Sequence, residues 1–503
     1  MTLVVVSNRV ACPAADEPIE GGLAAALLPA VQTSGAIWVG ASQRLQEVTA
    51  KEPLATIECY GAGSIATVDL PKKQYRGFYD GFSNSALWPA LHSRPDLIRT
   101  SNEDYACYRE INTLMARALI RFAKRDATFW IHDYHYLALG ADMRKLGVSQ
   151  PIGFFLHTPF PTRGVFSSVP HHRELIQAML AYDLIGVQTD EDHANLAEYL
   201  ENELGLKGNG DVYKAGRRNV RIGTFPIGID AATFAARAAK AATRPEATRL
   251  RTSLQGARLA IGVDRVDYSK GLTNRFEAFD QLLQRHPSLK RTVALLQIAV
   301  PSRIQVDAYQ KLQLQLATQV TEINGRHGEI DWAPIRYLTK GFSQGRLACF
   351  YRAAQVGLVT SLRDGMNLVA KEYVAAQDPS NPGVLVLSKF AGAARQLDAA
   401  LLVNPHDIEG LASAIAEAFS MPADERRERW DAMMKALMAA PLQGWFSDFV
   451  TALRTACLEP AVVPESATAE SATLLPFQLR SREIGGRTAA TAGQNLVNSD
   501  SRH

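Results

Sequence analysis

The sequence predicts an α/β protein made of two doubly wound domains, each a parallel sheet with helices on both faces. Three observations predict it. Short apolar runs of strand length alternate with stretches of helical period along nearly the whole chain. The alternation fades near residues 226–244 and then resumes. And 503 residues are too many for one ordinary core, so that two domains of roughly 200 residues are the default. Strands separated by helix-length segments need crossover connections, which make parallel sheets, whose ligand sites lie at the C-terminal ends of their strands.

In chain order, the first set of strands is expected at Leu3–Val6, Ala36–Val39, Thr128–Ile131, Ile152–Leu156, Leu184–Val187 and Ile222–Phe225. Helical period marks Glu110–Ala123 and Arg173–Ala181 between them, and the Gly/Asn-rich stretch from Leu206 to Arg218 reads as a hairpin or surface loop. The join falls near Pro226-Ile-Gly-Ile-Asp230 or in the Ala/Arg-rich stretch after it, giving domains over residues 1–235 and 236–458. The second domain is expected to hold strands at Leu259–Val263, Val293–Ile298, Ile335–Leu338, Val356–Val359 and Val384–Leu387, with helices at Asn274–Gln284, Val306–Ile323 and Glu409–Ala418. Its last helix can pack back on the first domain. Residues 459–503 carry few large apolar groups and no sustained period, the composition of a disordered tail.

Composition excludes several classes. The 54 basic residues nearly balance 51 acidic ones, and no long Lys/Arg run occurs, so a nucleic-acid partner has no support. Five dispersed cysteines with no Cys-x-x-Cys pair argue against a disulfide framework or structural zinc and for a reducing cytoplasm. No segment approaches the ~18 unbroken apolar residues of a membrane span.

Two clusters carry chemistry. In Gly262-Val-Asp-Arg-Val-Asp-Tyr-Ser-Lys-Gly271, Arg265 and Lys270 lie on a glycine-bounded turn after the apolar run Leu259-Ala-Ile261, which presents two cations to a phosphate-bearing group. In Arg363-Asp-Gly-Met-Asn-Leu-Val-Ala-Lys-Glu372, Asp364 and Gly365 stand where a loop gives way to a helix whose free N–H groups and dipole face an anion. Together they read as a site for the diphosphate of a sugar nucleotide. Glu372 is expected about two turns into that helix. His132 and His135 flank Asp133 and Asp264 is spaced from Asp267, but neither set is read as a metal site.

Seven motifs in register extend this reading: Ser7-Asn-Arg9, Gly21-Gly22-Leu, Gly81-Phe-Ser-Asn-x-x-Leu-Trp88-Pro, Trp130-Ile-His-Asp133-Tyr-His-Tyr-Leu, Gly153-Phe-Phe-Leu-His157-Thr-Pro-Phe-Pro161, Asp267-Tyr-Ser-Lys270-Gly-Leu and Asp364-Gly-Met-Asn-Leu-Val-Ala-Lys-Glu372. From about residue 3 to about 455 the chain resembles glycosyltransferase family 20, the retaining enzymes that make trehalose 6-phosphate. The resemblance implies a GT-B fold, two Rossmann-like domains facing across a cleft, with UDP-glucose bound by the C-terminal domain and glucose 6-phosphate by the N-terminal one. It implies no cofactor, no metal and a homotetramer.

The resemblance also implies roles. Gly21, Gly22, Arg265 and Lys270 would hold the diphosphate, Asp364 the hydroxyls of the transferred glucose, and Glu372 the ribose. Phe342 would stand beside the base, and Met366, Asn367, Leu368 and Val369 would complete the donor site. Arg9 and Arg303 would grip the acceptor phosphate, with Tyr79 and Trp88 closing the pocket. Asp133 would hold acceptor hydroxyls, and His157 a donor hydroxyl or the backbone at the reacting carbon. No carboxylate stands out as a nucleophile, and the implied route is front-face displacement, in which a phosphate oxygen of the leaving group takes the proton. Two departures bear on this: Ala41-Ser-Gln follows Trp38-Val-Gly40 where many relatives carry Trp-Ser-Gly, and Gln344 stands where relatives often place a basic residue. Donor choice among UDP-, ADP- and GDP-glucose stays open, as do a sister enzyme using glycerol 3-phosphate and a non-catalytic sugar-phosphate-binding homologue. A pyridoxal-phosphate lysine signature is absent.

Overall fold

The computed structural model describes residues 2–10, 27–28, 31–42, 44–45 and 55–458. Gly21 and Gly22, Cys12 and the tail from 459 to 503 lie outside the described residues. Two sheets organise the rest. The first holds ten strands: β1 Thr2–Arg9, β2 Ile37–Ala41, β3 Ala55–Tyr60, β4 Gly63–Val68, β5 Ala127–His132, β6 Ile152–Phe155, β7 Leu184–Val187, β8 Gly208–Asn209, β9 Val212–Ala215 and β10 Arg218–Thr224. Their order is β3-β4-β2-β1-β5-β6-β7-β10-β9-β8. The seven central strands from β4 to β10 run parallel, and an antiparallel hairpin finishes each edge. The second sheet is wholly parallel: β11 Arg258–Arg265, β12 Val293–Val300, β13 Ile335–Leu338, β14 Val356–Val359, β15 Val384–Ser388 and β16 Leu401–Val403, in the order β13-β12-β11-β14-β15-β16.

Each strand expected from an apolar run is present, because strands covered on both faces have no solvent side to break the run. The hairpin expected over 206–218 forms as β8–β9–β10, with Gly210 and Gly216 at positive φ in its two turns. Strands β3, β4 and β16 were not expected. The helix placed at 110–123 instead runs Asn102–Leu119, because Ser101 and Asp104 form a capping box that starts it a turn or two earlier. The aromatic segment Gly77–Leu87 is a π-helix that leads directly into Trp88. Gly77 and Gly81 let it lie against the 102–119 helix, where a Cβ would strike Cys107 or Asp104.

The chain leaves the first sheet after β10, and the helix Ala231–Ala241 already packs on the helices Gln344–Ala353 and Leu368–Ala376 of the second half. The last helix, Leu442–Leu458, returns to the first sheet. Phe449 stacks on Trp130 with ring centres 4.6 Å apart and occupies the space a Cβ would need at Gly153 and Gly186.

Strand order reverses beside β1 in the first sheet and beside β11 in the second, and such reversals leave a crevice at the strands' C-terminal ends. The candidate residues sit there: Arg9 ends β1, Asp133 follows β5, His157 follows β6, Arg265 ends β11, Arg303 follows β12, Phe342 follows β13 and Asp364 follows β14.

Candidate active site

The second sheet brings the two clusters of the sequence together. Lys270 closes a short 3-10 turn, Tyr268–Lys270, that Gly271 can leave only at φ +64°. Its Nζ lies 2.5 Å from Asp364 Oδ2, so cation and carboxylate meet although 94 residues separate them. Ser361 Oγ and Asn367 Nδ2 donate to the same carboxylate oxygen, at 3.1 and 2.9 Å. Burial raises the Asp364 carboxyl, but the Lys270 charge and the hydrogen bonds from Lys270 and Asn367 hold it below the usual carboxylate value.

Asn367, at φ +80°, keeps residues 364–367 out of the helix and caps it from Oδ1 to the Ala370 N–H. The helix therefore starts at Leu368, and Glu372 lies one turn in, not the two expected from its spacing. Leu368 and Val369 carry first-turn N–H groups that the helix ladder cannot use. Met366 is buried in the core beneath them. Burial pushes the Glu372 carboxyl up to about 7, against a long hydrogen bond from Tyr351 and the charge of Arg237. Arg237 also donates to Gln344. Phe342 stands in the same region, edge-on to Phe350 with Lys340 above its ring.

The other cluster belongs to both halves. Arg303 lies over the Trp88 ring, 3.8 Å from its centre, and donates to Asp267 Oδ2 at 2.7 Å, to the Tyr309 hydroxyl at 2.8 Å and to the Tyr134 hydroxyl at 3.2 Å. Arg265 approaches the same ring at 5.6 Å, and the Trp88 indole N–H points at Asp267 Oδ1. His92 stacks on Trp88 from within the first half. Asp267 is fully buried, yet Arg303, Arg265, His92 and Lys270 overcome that burial and draw its carboxyl down to about 2. Arg9 sits over the Tyr79 ring at 4.8 Å, and Tyr79 stacks on His135. His135 lies beside Tyr134, whose hydroxyl accepts from Arg303, so Arg9 and Arg303 flank one run of rings, Tyr79, His135 and Tyr134. Arg303 Nε and both His135 ring nitrogens are buried without a hydrogen-bond partner.

Asp133 links the two clusters. Its φ of +76° is costly for an aspartate, and three of the seven non-glycine residues with positive φ among the described residues are Asp133, Arg303 and Asn367. Burial lifts the Asp133 carboxyl to about 6, opposed by N–H groups of Tyr134 and His157 and by the charges of Arg303 and Arg265. His157 donates its N–H to Asp133 Oδ1 at 3.3 Å, and its carbonyl faces Gly365 so closely that a Cβ there would lie 2.0 Å from the oxygen. Arg363 meanwhile reaches Glu191 of the first half at 2.7 Å. Gly365→Ala is expected to push the halves apart at this point, lowering stability in urea unfolding by about 1–3 kcal/mol, the range for overpacking a closed contact. Unchanged stability together with unchanged turnover would show that the contact is dispensable.

Of the predicted site residues, Gly21 and Gly22 lie outside the described residues; Arg9, Asp133, His157, Arg265, Arg303, Phe342 and Asp364 end or follow strands of the two sheets, Tyr79 and Trp88 lie on the π-helix and the short helix after it, and Leu368, Val369 and Glu372 lie on the helix Leu368–Ala376. Sequence reasoning missed Asp267, Tyr134, Tyr309, His92 and Ser361. Asp267 and Tyr134 stand inside quoted motifs, so the signal was present; His92 and Tyr309 lie in no motif. The described residues hold no group of three or more His, Cys, Asp or Glu side chains that could bind a metal, and no described helix is long and apolar enough to cross a membrane.

The family model for glycosyltransferase family 20 matches residues 11–455. The chain is 44% identical to a trehalose-6-phosphate synthase of Sinorhizobium fredii, covering 90% of this chain and 98% of that protein. Its structure is similar to a UDP-forming alpha,alpha-trehalose-phosphate synthase of Burkholderia xenovorans in complex with glucose-6-phosphate, at TM-score 0.86 and 42% identity over 90% of this chain and 100% of that one. An E. coli relative bound with UDP-2-fluoro glucose gives TM-score 0.85 and 39% identity, covering 90% of this chain and 99% of that one.

Proposed function

This chain belongs to glycosyltransferase family 20, and from that premise we infer a division of labour between its two halves. The fold is GT-B. The enzyme moves glucose from UDP-glucose to glucose 6-phosphate, giving trehalose 6-phosphate and UDP. We assign residues 1–235 to the acceptor and 236–458 to the donor. Arg265 and Lys270 bind the diphosphate with Gly21 and Gly22, Asp364 and its neighbours Met366 and Asn367 the transferred glucose, Leu368 and Val369 the donor through backbone N–H groups, Glu372 the ribose, and Phe342 the base. Arg9 and Arg303 bind the acceptor phosphate between Tyr79 and Trp88, and Asp133 the acceptor hydroxyls. The observation that carries this reading is that Arg9 and Arg303, from opposite halves, flank the same rings, Tyr79, His135 and Tyr134.

In this reading the 1-hydroxyl of glucose 6-phosphate attacks on the face the diphosphate leaves, and a diphosphate oxygen accepts its proton. Cations fixed beforehand stabilise the charge that develops on the leaving group without reorganising. Asp133 and Asp364 orient the two sugars, and alignment alone supplies ~7 kcal/mol or more. A homotetramer in the cytoplasm completes the proposal. Incubating the protein with each nucleotide-glucose and with either glucose 6-phosphate or glycerol 3-phosphate tests it: trehalose 6-phosphate and UDP are expected, and product from glycerol 3-phosphate alone, or none, overturns it.

A pH dependence follows. In the free protein Glu372 titrates near 7 instead of at its ordinary 4.5. Its raised value stabilises the folded state fully below pH about 4.5, and that contribution is lost as pH rises through about 7. Ribose hydroxyls donate to the ionised form, so donor binding expels the proton. UDP-glucose affinity is expected to rise between pH about 6 and about 8, with proton release visible in calorimetry across buffers, and Glu372→Gln should flatten the profile. An equally steep profile in the variant would remove Glu372 from the ribose site.

A further inference from the structure

We propose that Gln188 is a positioning residue for the transfer, fixing the tautomer of His157 and tying that residue through the crossover at Ile227 to the donor-binding helix. The inference rests on the functional reading above, in whose site His157 borders Asp133 and Gly365. Gln188 follows β7 and is 1% exposed. The Ile227 N–H donates to its Oε1 at 3.0 Å. Only the oxygen of an amide can accept that bond, so Nε2 is the atom that faces His157, 3.4 Å from Nδ1. Nδ1 is then an acceptor, and the ring proton sits on Nε2, 3.0 Å from His132 Nδ1.

The chain continues on the other side of the crossover. The Ile227 carbonyl accepts from Lys371 Nζ, a fully buried amino group that also donates to Gln396, on the residue next to Glu372 in the helix Leu368–Ala376. One run of hydrogen bonds therefore joins the donor helix, the crossover, Gln188, His157 and His132. These two contacts set the orientation of the imidazole in the free protein. The His157 main chain in turn orients Asp133 through its N–H and sets its carbonyl against Gly365. Gln188 holds that segment in place without touching substrate.

Two variants separate this from a merely structural role. Gln188→Glu keeps shape and, at a pH where its carboxyl is ionised, presents only acceptors, so that Nδ1 must carry the proton. Gln188→Leu removes both bonds. In 15N-histidine-labelled full-length protein, with the His157 signal assigned by its loss in His157→Gln, the unmodified chain is expected to show the Nε2–H pattern and Gln188→Glu the Nδ1–H pattern. Both variants should lose about tenfold to a hundredfold in kcat, the cost of slight misplacement, while KM for glucose 6-phosphate stays within about twofold, as for an interaction felt in the transition state. An Nδ1–H tautomer in the unmodified chain, or a Gln188→Glu variant with tautomer and kcat unchanged, overturns the proposal. Absence of transfer by the unmodified protein instead overturns the functional reading, and the tautomer measurement, which needs no substrate, tells the two failures apart.

Discussion

Lys270→Ala is expected to lower kcat by about 10²–10³-fold, the usual loss when one fixed donor is removed from a developing anion. The ammonium has two tasks. It would meet the diphosphate as the glycosidic bond breaks, and in the free protein it lies 2.5 Å from Asp364, the residue assigned to the glucose hydroxyls. Taking it away leaves a buried carboxylate with Ser361 and Asn367 as its remaining donors, and burial then drives that carboxyl upward. Loss of turnover could in principle come from either effect, so the pair is measured as a cycle with Asp364→Asn. If Lys270 and Asp364 act as one unit, the double variant is little worse than the poorer single one. A Lys270→Ala protein whose kcat stays within about threefold of the parent would remove Lys270 from the leaving-group site.

That pairing shows where sequence reading stops. The motifs at Arg9, Asp133, His157, Asp267 and Asp364 were visible because a strand end followed by a loop is a local pattern, and the apolar run before it announces the strand. Which strand ends face one another is not local. Lys270 and Asp364 are joined because β11 and β14 are neighbours at the point where strand order reverses. Asp267 was noticed only as one of two spaced acids, whereas its partners Trp88 and Arg303 come from other segments, Trp88 from the other half. Gln188 carries no motif at all, and its role depends on the crossover passing beside β7.

Missed fold elements have equally plain causes. Strand β3, Ala55–Tyr60, is an edge strand with exposed residues along its length, so no apolar run marks it. β16 has three residues, too few for a period. The 102–119 helix began at a capping box that can be read as Ser-x-x-Asp, a signal outweighed by the later apolar repeats.

Arg303→Ala should damage the other end of the cleft, and with a different signature. The side chain is almost wholly buried and satisfies Asp267, Tyr309 and Tyr134 while lying over the Trp88 ring. Removing a buried partner of this kind costs acceptor affinity about 2–5 kcal/mol, and it leaves Asp267 with weaker compensation, which destabilises the fold by up to about 3–5 kcal/mol. The sign of the accompanying pH effect is fixed. Asp267 is held near 2, below its ordinary 3.8, so its contribution to stability is present above pH about 4 and is lost as pH falls through about 2. Without Arg303 that carboxyl titrates higher, and acid unfolding moves to higher pH. Arg303→Lys retains the charge but not the planar fork that serves Asp267, Tyr134 and a phosphate together; it should recover acid stability more than acceptor affinity. Steady-state kinetics with both substrates and acid-unfolding curves for the two variants decide the matter. KM for glucose 6-phosphate must rise far more than KM for UDP-glucose; equal effects on both would mean that Arg303 serves only to hold the halves together.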